Sequence, residues 1–400
     1  MRSVNRFSRW LRALLGYAVC SAMLALNGCG TPTVPPPEPS QTVVPTPSGL
    51  TTPAPALVLP ETPADTPAIE RGSSRWVPVP WSDLPGLGRD DLVAAWNAWL
   101  KSCERAPDAL AALCPEIRQL SLADEAQRWT WLVQRWQPYR IDPVQTGTPS
   151  GLLTGYYEPE FEAQRVADAR FRYPLYAPPA GLRAGSRWYS RQEIDTLPEA
   201  QNALRDRVLA YLADPVDVLV LQIQGSGRVR LREPDGQTRR MRLAFAGHNG
   251  HPYQSVGRWL LDQGELRDAT WPSISQWLAR QPLRVNEVLW RNPRVVFFRL
   301  EALSDFDAGF GPRGAQGVAL TPGRSIAVDP GSIPLGTPVW LHTEGTTLNL
   351  QQLVLAQDTG AAIVGARRAD LFLGWGDQAG ELAGRLRQPV RLWALWPRKS

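Results

Sequence analysis

Four hundred residues, 43% hydrophobic and 20% charged, are enough for two domains with packed cores. The formal charge of +5 is unevenly placed: Arg2, Arg6, Arg9 and Arg12 open the chain, and the remainder is near +1, so charge gives no reason to propose nucleic acid as a partner. No Gly-rich nucleotide-binding fingerprint occurs anywhere in the sequence.

Residues 1–28 read as a secretory signal peptide: basic and free of acids at the start, then an apolar run too short to span a bilayer, closed by small residues. The closing Leu26-Asn27-Gly28-Cys29 resembles a bacterial lipobox, which implies that Cys29 is lipidated and becomes the mature N-terminus. Gly30 follows it rather than Asp, which by the same resemblance favours the periplasmic face of the outer membrane. Residues 29–75 are dominated by Pro, Thr, Val, Ala and Ser, and read as a stiff, extended tether. Cys20 leaves with the leader and Cys29 is the anchor. Cys103 and Cys114 remain, separated by a short Pro-containing loop, and in an exported protein a disulfide is the natural reading, two buried free thiols the alternative.

The folded body is expected to start near Trp76. Arg89-Asp90-Asp91 precedes Leu92, Ala95, Trp96, Trp99 and Leu100, an apolar stripe at helical spacing with acids at its start. A second helix is predicted over 122–136, with Ala126, Trp129, Leu132, Val133 and Trp136 on one face and Pro138 as its stop. These tryptophans read as core first, with stacking on sugar rings as the rival use. Residues 151–161 predict a strand followed by a turn. Residues 161–300 read as a separate, mostly β unit: a strand over 216–223, the turn Gln224-Gly225-Ser226-Gly227, and strands 228–232 and 238–245 joined by the hairpin signal Pro234-Asp235-Gly236-Gln237. A helix is predicted over 255–262. His248 and His251 invite a zinc reading, but they lie in a Gly/Pro loop with no Cys or Glu nearby to complete a ligand set, so no metal is expected. The arginines of 228–242 read as a solvated face or as the lining of a groove for a polar polymer.

The C-terminal part returns to short strands between Gly/Pro turns, over 294–299, 318–320, 324–330 and 339–341, then a helix over 378–386 and a strand over 389–396. That texture predicts a small β-barrel. Within it, the apolar run 353–356 delivers Asp358 into a Gly-containing turn, and Asp370 arrives just before the apolar Leu371-Phe372-Leu373. Carboxylates at the ends of buried strands are poorly solvated, so one can stay protonated while another is ionised, as acid/base chemistry requires. A third acid, Asp329, stands in a tight turn. Surface acids in a solvated turn are the alternative.

Several short motifs are specific when taken together. Tyr156-Tyr157-Glu158-Pro159, Gln224-Gly225-Ser226-Gly227, Asn249-Gly250-His251-Pro252-Tyr253, Asn292-Pro293 with Phe297-Phe298, and Ala327-Val328-Asp329-Pro330 through Asp358-Thr359-Gly360 to Asp370 resemble the membrane-bound lytic murein transglycosylase A family, from about Trp81 to Pro397. The C-terminal part resembles that family's three-aspartate domain, with its acids on Asp329, Asp358 and Asp370. The resemblance implies a mainly β fold with a few helices: a double-psi β-barrel built from 76–160 and 301–400, a second β-domain of 161–300 inserted into it, and a groove between the two. It implies non-hydrolytic cleavage of the β-1,4 bond between N-acetylmuramic acid and N-acetylglucosamine in peptidoglycan, leaving a 1,6-anhydro-muramoyl end. Asp370 would be the single acid/base, with Asp358 and Asp329 as nearby charges and no cofactor required. Thr154, Tyr157, Glu158 and Gln224, Gly225, Ser226 and Gly227 follow as residues holding the glycan strand, with ordinary barrel packing as the alternative for each. The implied partners are peptidoglycan strands, a membrane reached through the lipid anchor, and cell-wall synthases or scaffolds. Two other readings stand beside this one. A non-catalytic peptidoglycan-binding lipoprotein would share the anchor and tether, and the Asp-Thr-Gly of 358–360 also resembles the loop of an aspartic protease, which with one such loop would have to be a symmetric dimer.

Overall fold

Asp91 and Asp124 begin the helical layer by accepting backbone N–H groups that a helix start leaves without partners: Asp91 takes Val93 N–H, and Asp124 forms a capping box with Gln127. The computed structural model describes residues 57–145, 151–183 and 185–398. The leader and Cys29 lie outside them. In chain order the N-terminal part contains strands β1 (Ile69–Arg71) and β2 (Ser74–Pro78), helices α1 (Leu92–Ser102), α2 (Asp108–Ala111), α3 (Cys114–Gln119) and α4 (Glu125–Arg135), and strands β3 (Trp136–Pro143) and β4 (Gly151–Glu158). Pro138 therefore lies inside a strand and does not end the second helix. That helix stops at Arg135, because Trp136 already has extended backbone and pairs with Pro397. Residues 57–75, assigned to the tether from composition, are part of the fold: Thr62 Oγ1 donates to the Val79 carbonyl, and β1 pairs antiparallel with β2.

The next segment holds β5 (Glu160–Gln164), β6 (Tyr173–Tyr176), α5 (Arg191–Thr196), α6 (Pro198–Leu204), β7 (Val208–Leu212), α7 (Pro215–Gln224), β8 (Gly227–Arg232), β9 (Thr238–His248), α8 (Val256–Asp262), α9 (Trp271–Arg280), α10 (Val285–Trp290) and β10 (Val296–Ala302). Its six strands form one sheet in the order β10-β9-β8-β5-β7-β6. It is less purely β than its composition suggested, since six helices pack around that sheet. The run 216–223 is one of them. Its β-branched residues favour a strand, but Asp214 caps it by accepting Val216 N–H, Pro215 stands in its first turn, and Gly225 closes it at φ 81°.

The last part holds α11 (Asp305–Ala308), β11 (Ser325–Val328), β12 (Pro338–Thr343), β13 (Leu350–Asp358), β14 (Arg368–Trp375), α12 (Gly376–Arg385) and β15 (Arg387–Pro397). Residues 318–320 form no strand. They contribute one isolated bridge, Arg313 to Ala319. The first sheet runs β1-β2-β3-β15-β12-β13-β11-β14-β4, and β4 pairs again with β15. That second pairing closes six strands into a barrel. Its interior is apolar, built from Leu153, Ile326, Val339, Val354, Leu371 and Leu392 among others.

A second core lies outside the barrel wall, where Trp96, Trp99 and Trp129 of the helical layer and Trp136 of β3 meet Trp340 and Trp393. Trp96, Trp99, Trp131 and Trp136 stack edge-on or tilted at 5.2–6.2 Å between ring centroids. All but Trp131 of these four are almost wholly buried. Each such ring contributes about 1.5–3 kcal/mol through burial, so these tryptophans serve the core and do not reach sugar rings. Two polar struts tie the layer to the barrel. Asp90 receives Arg324 and the Leu353 N–H, and the buried Gln357 donates to the Ala98 carbonyl and Ser102 Oγ. Cys103 and Cys114 are joined by a disulfide between α1 and α3.

Candidate active site

β11 places the acids. It lies between β13 and β14 in the barrel, and its Ala327 is the register partner of Asp358 on one side and of Asp370 on the other. On the far side of β14, Asp370 is opposite Thr154 of the parallel strand β4. Asp370 and Asp358 are therefore presented by separate strands at one end of a rigid wall, although a short loop joins them in sequence. Thr154 Oγ1 donates to Asp370 Oδ1 at 2.6 Å and accepts from Arg368 Nη2 at 2.8 Å. The Tyr156 hydroxyl donates to Asp358 Oδ2 at 2.9 Å, and the other Asp358 oxygen accepts the N–H groups of Ala315 and Thr359, each at 2.9 Å.

Burial dominates the electrostatics. It pushes the Asp370 carboxyl up to about 6, against the Thr154 hydrogen bond and the Arg368 guanidinium, which favour the charged form, and with the neighbouring Asp358 adding to the rise. Burial also raises Asp358, opposed by its three hydrogen bonds. Tyr156 is held well above its ordinary value, first by burial and then by the Asp358 charge, so it stays a hydrogen-bond donor. Its ring packs against Phe372 at 5.3 Å between centroids. The result is one carboxyl group that is half protonated near pH 6, with a second acid held in place beside it.

The other sequence-selected residues fall into different places. Asp329 is committed to backbone: its two oxygens accept Gly331 N–H at 2.9 Å and Gly365 N–H at 2.8 Å, which pins the 360–366 loop to the start of the turn after β11. Glu158 is fully buried. Arg228 Nε and Arg242 Nε each donate to it, at 2.8 and 2.7 Å, and Arg228 also lies over the Trp375 ring at 3.8 Å. A carboxylate so enclosed cannot touch a glycan, so Glu158 is a link between the two sheets. Gln224 accepts the Tyr157 N–H at 3.2 Å, Gly225 is the left-handed residue that ends α7, and Ser226 and Gly227 are buried at the start of β8. That turn joins the second sheet to the acid-bearing end of β4. Tyr157 is partly buried beside Gly380, and its phenol is pushed up to about 12 by burial and by Asp377 and Asp217.

Sequence reading did not select Arg368, although it stands two residues before Asp370 on the same strand and hence on the same face. It also missed the loop 309–317, whose spaced glycines were the available signal. Gly314 lies so close to β13 that a Cβ there would meet the Gln357 carbonyl at 2.5 Å, and this closeness lets Ala315 reach Asp358. A cleft of about 490 Å³ opens where Arg242 and Glu301 of the second sheet face Lys101 of α1 and Phe310 and Arg313 of that loop. None of the three aspartates lines it. Among the described residues no cluster of three or more His, Cys, Asp or Glu could hold a metal ion, and His251 Nε2 is instead 2.8 Å from the Trp188 carbonyl oxygen. Asp358 shares its proton network with a phenol and two amides rather than with a second aspartate, unlike a protease dyad.

Two family models match this architecture: the MltA specific insert domain over residues 152–299 and the 3D domain over residues 324–396. The membrane-bound lytic murein transglycosylase A of Vibrio cholerae is 32% identical over 286 residues, 66% of this chain and 73% of that protein. The chain belongs to the membrane-bound lytic murein transglycosylase A family. Solved structures similar to this chain include the lytic transglycosylase LtgG of Burkholderia pseudomallei, 41% identical over 84% of this chain and 99% of that one with a TM-score of 0.55. MltA of Neisseria gonorrhoeae is 27% identical over 84% and 95% of the two chains, with a TM-score of 0.68. In MltA terms, the insert model begins on β4 and ends on β10, and the 3D model spans β11 to β15 and contains Asp329, Asp358 and Asp370. The mainly β fold with several helices agrees with the expectation from sequence.

Proposed function

We propose that this chain is a lytic murein transglycosylase that cleaves the β-1,4 bond between N-acetylmuramic acid and N-acetylglucosamine in peptidoglycan and leaves a 1,6-anhydro-muramoyl end. The observation that carries the reading is the Asp370 carboxyl, buried against Thr154 and raised to about 6, so that a neutral acid and its conjugate base are both accessible near neutral pH. Neutral Asp370 protonates the glycosidic oxygen as the C1–O bond breaks and positive charge builds on the muramic ring. Ionised Asp370 then takes the proton of that ring's own C6 hydroxyl as its oxygen bonds to C1. One proton is given and one returned, no water is consumed, and one carboxyl group does the work that hydrolytic glycosidases divide between two. Asp358, held by Tyr156, Thr359 and Ala315, supplies fixed negative charge that favours the oxocarbenium-like transition state. Asp329 takes no part in the chemistry and holds the loop that joins the two acid-bearing strands. The names of the relatives, a membrane-bound lytic murein transglycosylase A of Vibrio cholerae and a lytic transglycosylase of Burkholderia pseudomallei, support the same assignment. Lipidation at Cys29 and attachment to the periplasmic face of the outer membrane complete the proposal, with the Pro-rich stretch before Leu57 as the reach between membrane and wall.

Mass analysis of the products released from purified peptidoglycan tests this directly, with Asp370→Asn alongside. Anhydro-muropeptides that disappear in the variant are expected. Reducing-end sugars would mean that water attacks. Retention on the sacculus without release would leave the binding-lipoprotein reading in place.

A further inference from the structure

The mechanism does not by itself say which Asp370 oxygen carries the acid proton, and the contacts of Thr154 decide it. Thr154 Oγ1 sits between Arg368 Nη2, at 2.8 Å, and Asp370 Oδ1, at 2.6 Å. A guanidinium nitrogen offers only protons and no lone pair. The Thr154 oxygen must therefore accept from Arg368, and its single O–H is left to donate to Asp370 Oδ1. The guanidinium itself cannot swing away freely: its other terminal nitrogen donates to the Ala369 carbonyl at 2.6 Å and approaches the Leu152 carbonyl at 3.4 Å. The parallel register of β14 and β4, which sets Asp370 opposite Thr154 and Arg368 opposite Leu152, fixes all three groups on rigid strands.

We propose that Arg368 is a positioning residue that forces the Thr154 hydroxyl to donate to Asp370 Oδ1, so that the transferable proton rides on Oδ2. This rests on Asp370 being the acid/base. Without Arg368, the threonine hydroxyl is free to rotate and accept the proton of a neutral Asp370, which turns the acid inward to the protein. With Arg368 in place one of the two lone pairs of the Thr154 oxygen is taken and the guanidinium charge disfavours a second donor on it, so the hydroxyl proton goes to Oδ1, and Oδ2 both gives the proton to the leaving oxygen and takes back the proton of the C6 hydroxyl. The other charged or titratable groups around Asp370 are Asp358 of β13, Tyr156 of β4, which is bonded to Asp358, and Arg387 of β15, which opposes Thr154 in register and repels Arg368.

The test is a double-mutant cycle on the full chain, read by the rate of anhydro-muropeptide release across pH and by the carbon-13 titration of the Asp370 carboxyl. Arg368→Met and Thr154→Val are each expected to lower kcat about tenfold, a fraction of the whole general-acid contribution, with KM changed less than about twofold. In the Thr154→Val background, Arg368→Met should cost nothing further, because the hydroxyl through which it acts is gone. Thr154→Ser, which keeps the hydroxyl, should recover most of kcat. Arg368→Lys also offers only protons, though without the fork that holds the guanidinium to two carbonyls, and should keep more of kcat than Arg368→Met. Losses that multiply in the double variant, or an effect confined to KM, would overturn the relay and leave Arg368 as a bare charge. Failure of the underlying reading looks different: Asp370→Asn would still release anhydro products at full rate. In that case the carboxyl titration still reports whether Arg368 acts on Asp370 through Thr154.

Discussion

Asp370 titrates near 6 because its charged form is more costly inside the barrel wall than in water, and that cost is itself a measurable property of the fold. A carboxyl whose folded value is raised binds its proton more tightly in the folded chain. Its contribution to stability is therefore fully present below the unfolded value and is lost as pH rises through about 6. Asp370→Asn removes the titration. The variant is expected to abolish product release and to be more stable than the parent at pH 8, by up to about 3 kcal/mol for a shift of this size. Urea unfolding at pH 8 and near pH 4.5 checks the sign, since the gain should shrink at the lower pH. Over the same range, kcat should fall as pH rises above about 6 and the acid form is depleted. Asp329→Ala should behave differently. It frees two backbone N–H groups, of Gly331 and Gly365, and should cost about 1–3 kcal/mol of stability while lowering activity far less than Asp370→Asn. Spacing alone put all three acids in one class and only the family resemblance singled out Asp370, because a carboxylate that accepts backbone amides and one that faces a hydroxyl are spelled with the same residue.

At the scale of elements, the helix α7 and the loop 309–317 show where local pattern and local geometry part. The run 216–223 is rich in β-branched residues, yet its ends decide its conformation: the Asp214 cap, Pro215 in the first turn and the left-handed Gly225. Asp214→Ala should lower the melting free energy by about 1 kcal/mol, the usual value of a lost N-cap, measurable by thermal unfolding. In the loop, Gly314→Ala brings a methyl group to 2.5 Å from the Gln357 carbonyl oxygen. Backbone has to give way there, and Ala315 N–H is drawn off Asp358. Because misplacement of an active-site group by about 1 Å costs up to about 10²-fold in rate, this substitution should reduce release of anhydro-muropeptides strongly. Helices with a clear stripe and cap, α1 and α8, were legible from sequence within two residues, and so was the turn of the β8–β9 hairpin, although β9 continues to His248, three residues beyond the predicted strand.

For the molecule as a whole, Glu158 is the joint on which the two sheets meet. It ends strand β4, which carries Thr154 and Tyr156, and receives Arg228 of β8 and Arg242 of β9, and those arginines also donate to the Ala308 and Phe310 carbonyls. Glu158→Ala would leave two arginines buried without their anion, and should cost about 3–5 kcal/mol in chemical denaturation. Breaking the Cys103–Cys114 disulfide, which closes a loop with a sequence separation of 11, should cost about 2–3 kcal/mol, read as a lowered denaturation midpoint under reducing conditions. The sequence by itself determined what depends on neighbours along the chain: capped amphipathic helices, the Asp235-Gly236 hairpin, apolar runs long enough for a barrel, and motifs specific enough to mark the family. Only the tertiary structure decided what surrounds each acid, because burial and hydrogen bonding are properties of space. Thr154 and Asp370 are 216 residues apart in sequence, and β11 lies between Asp358 and Asp370. Register across those strands sets one carboxyl beside a hydroxyl, gives another to backbone amides, and encloses Glu158 between arginines, and no spacing along the chain encodes that choice.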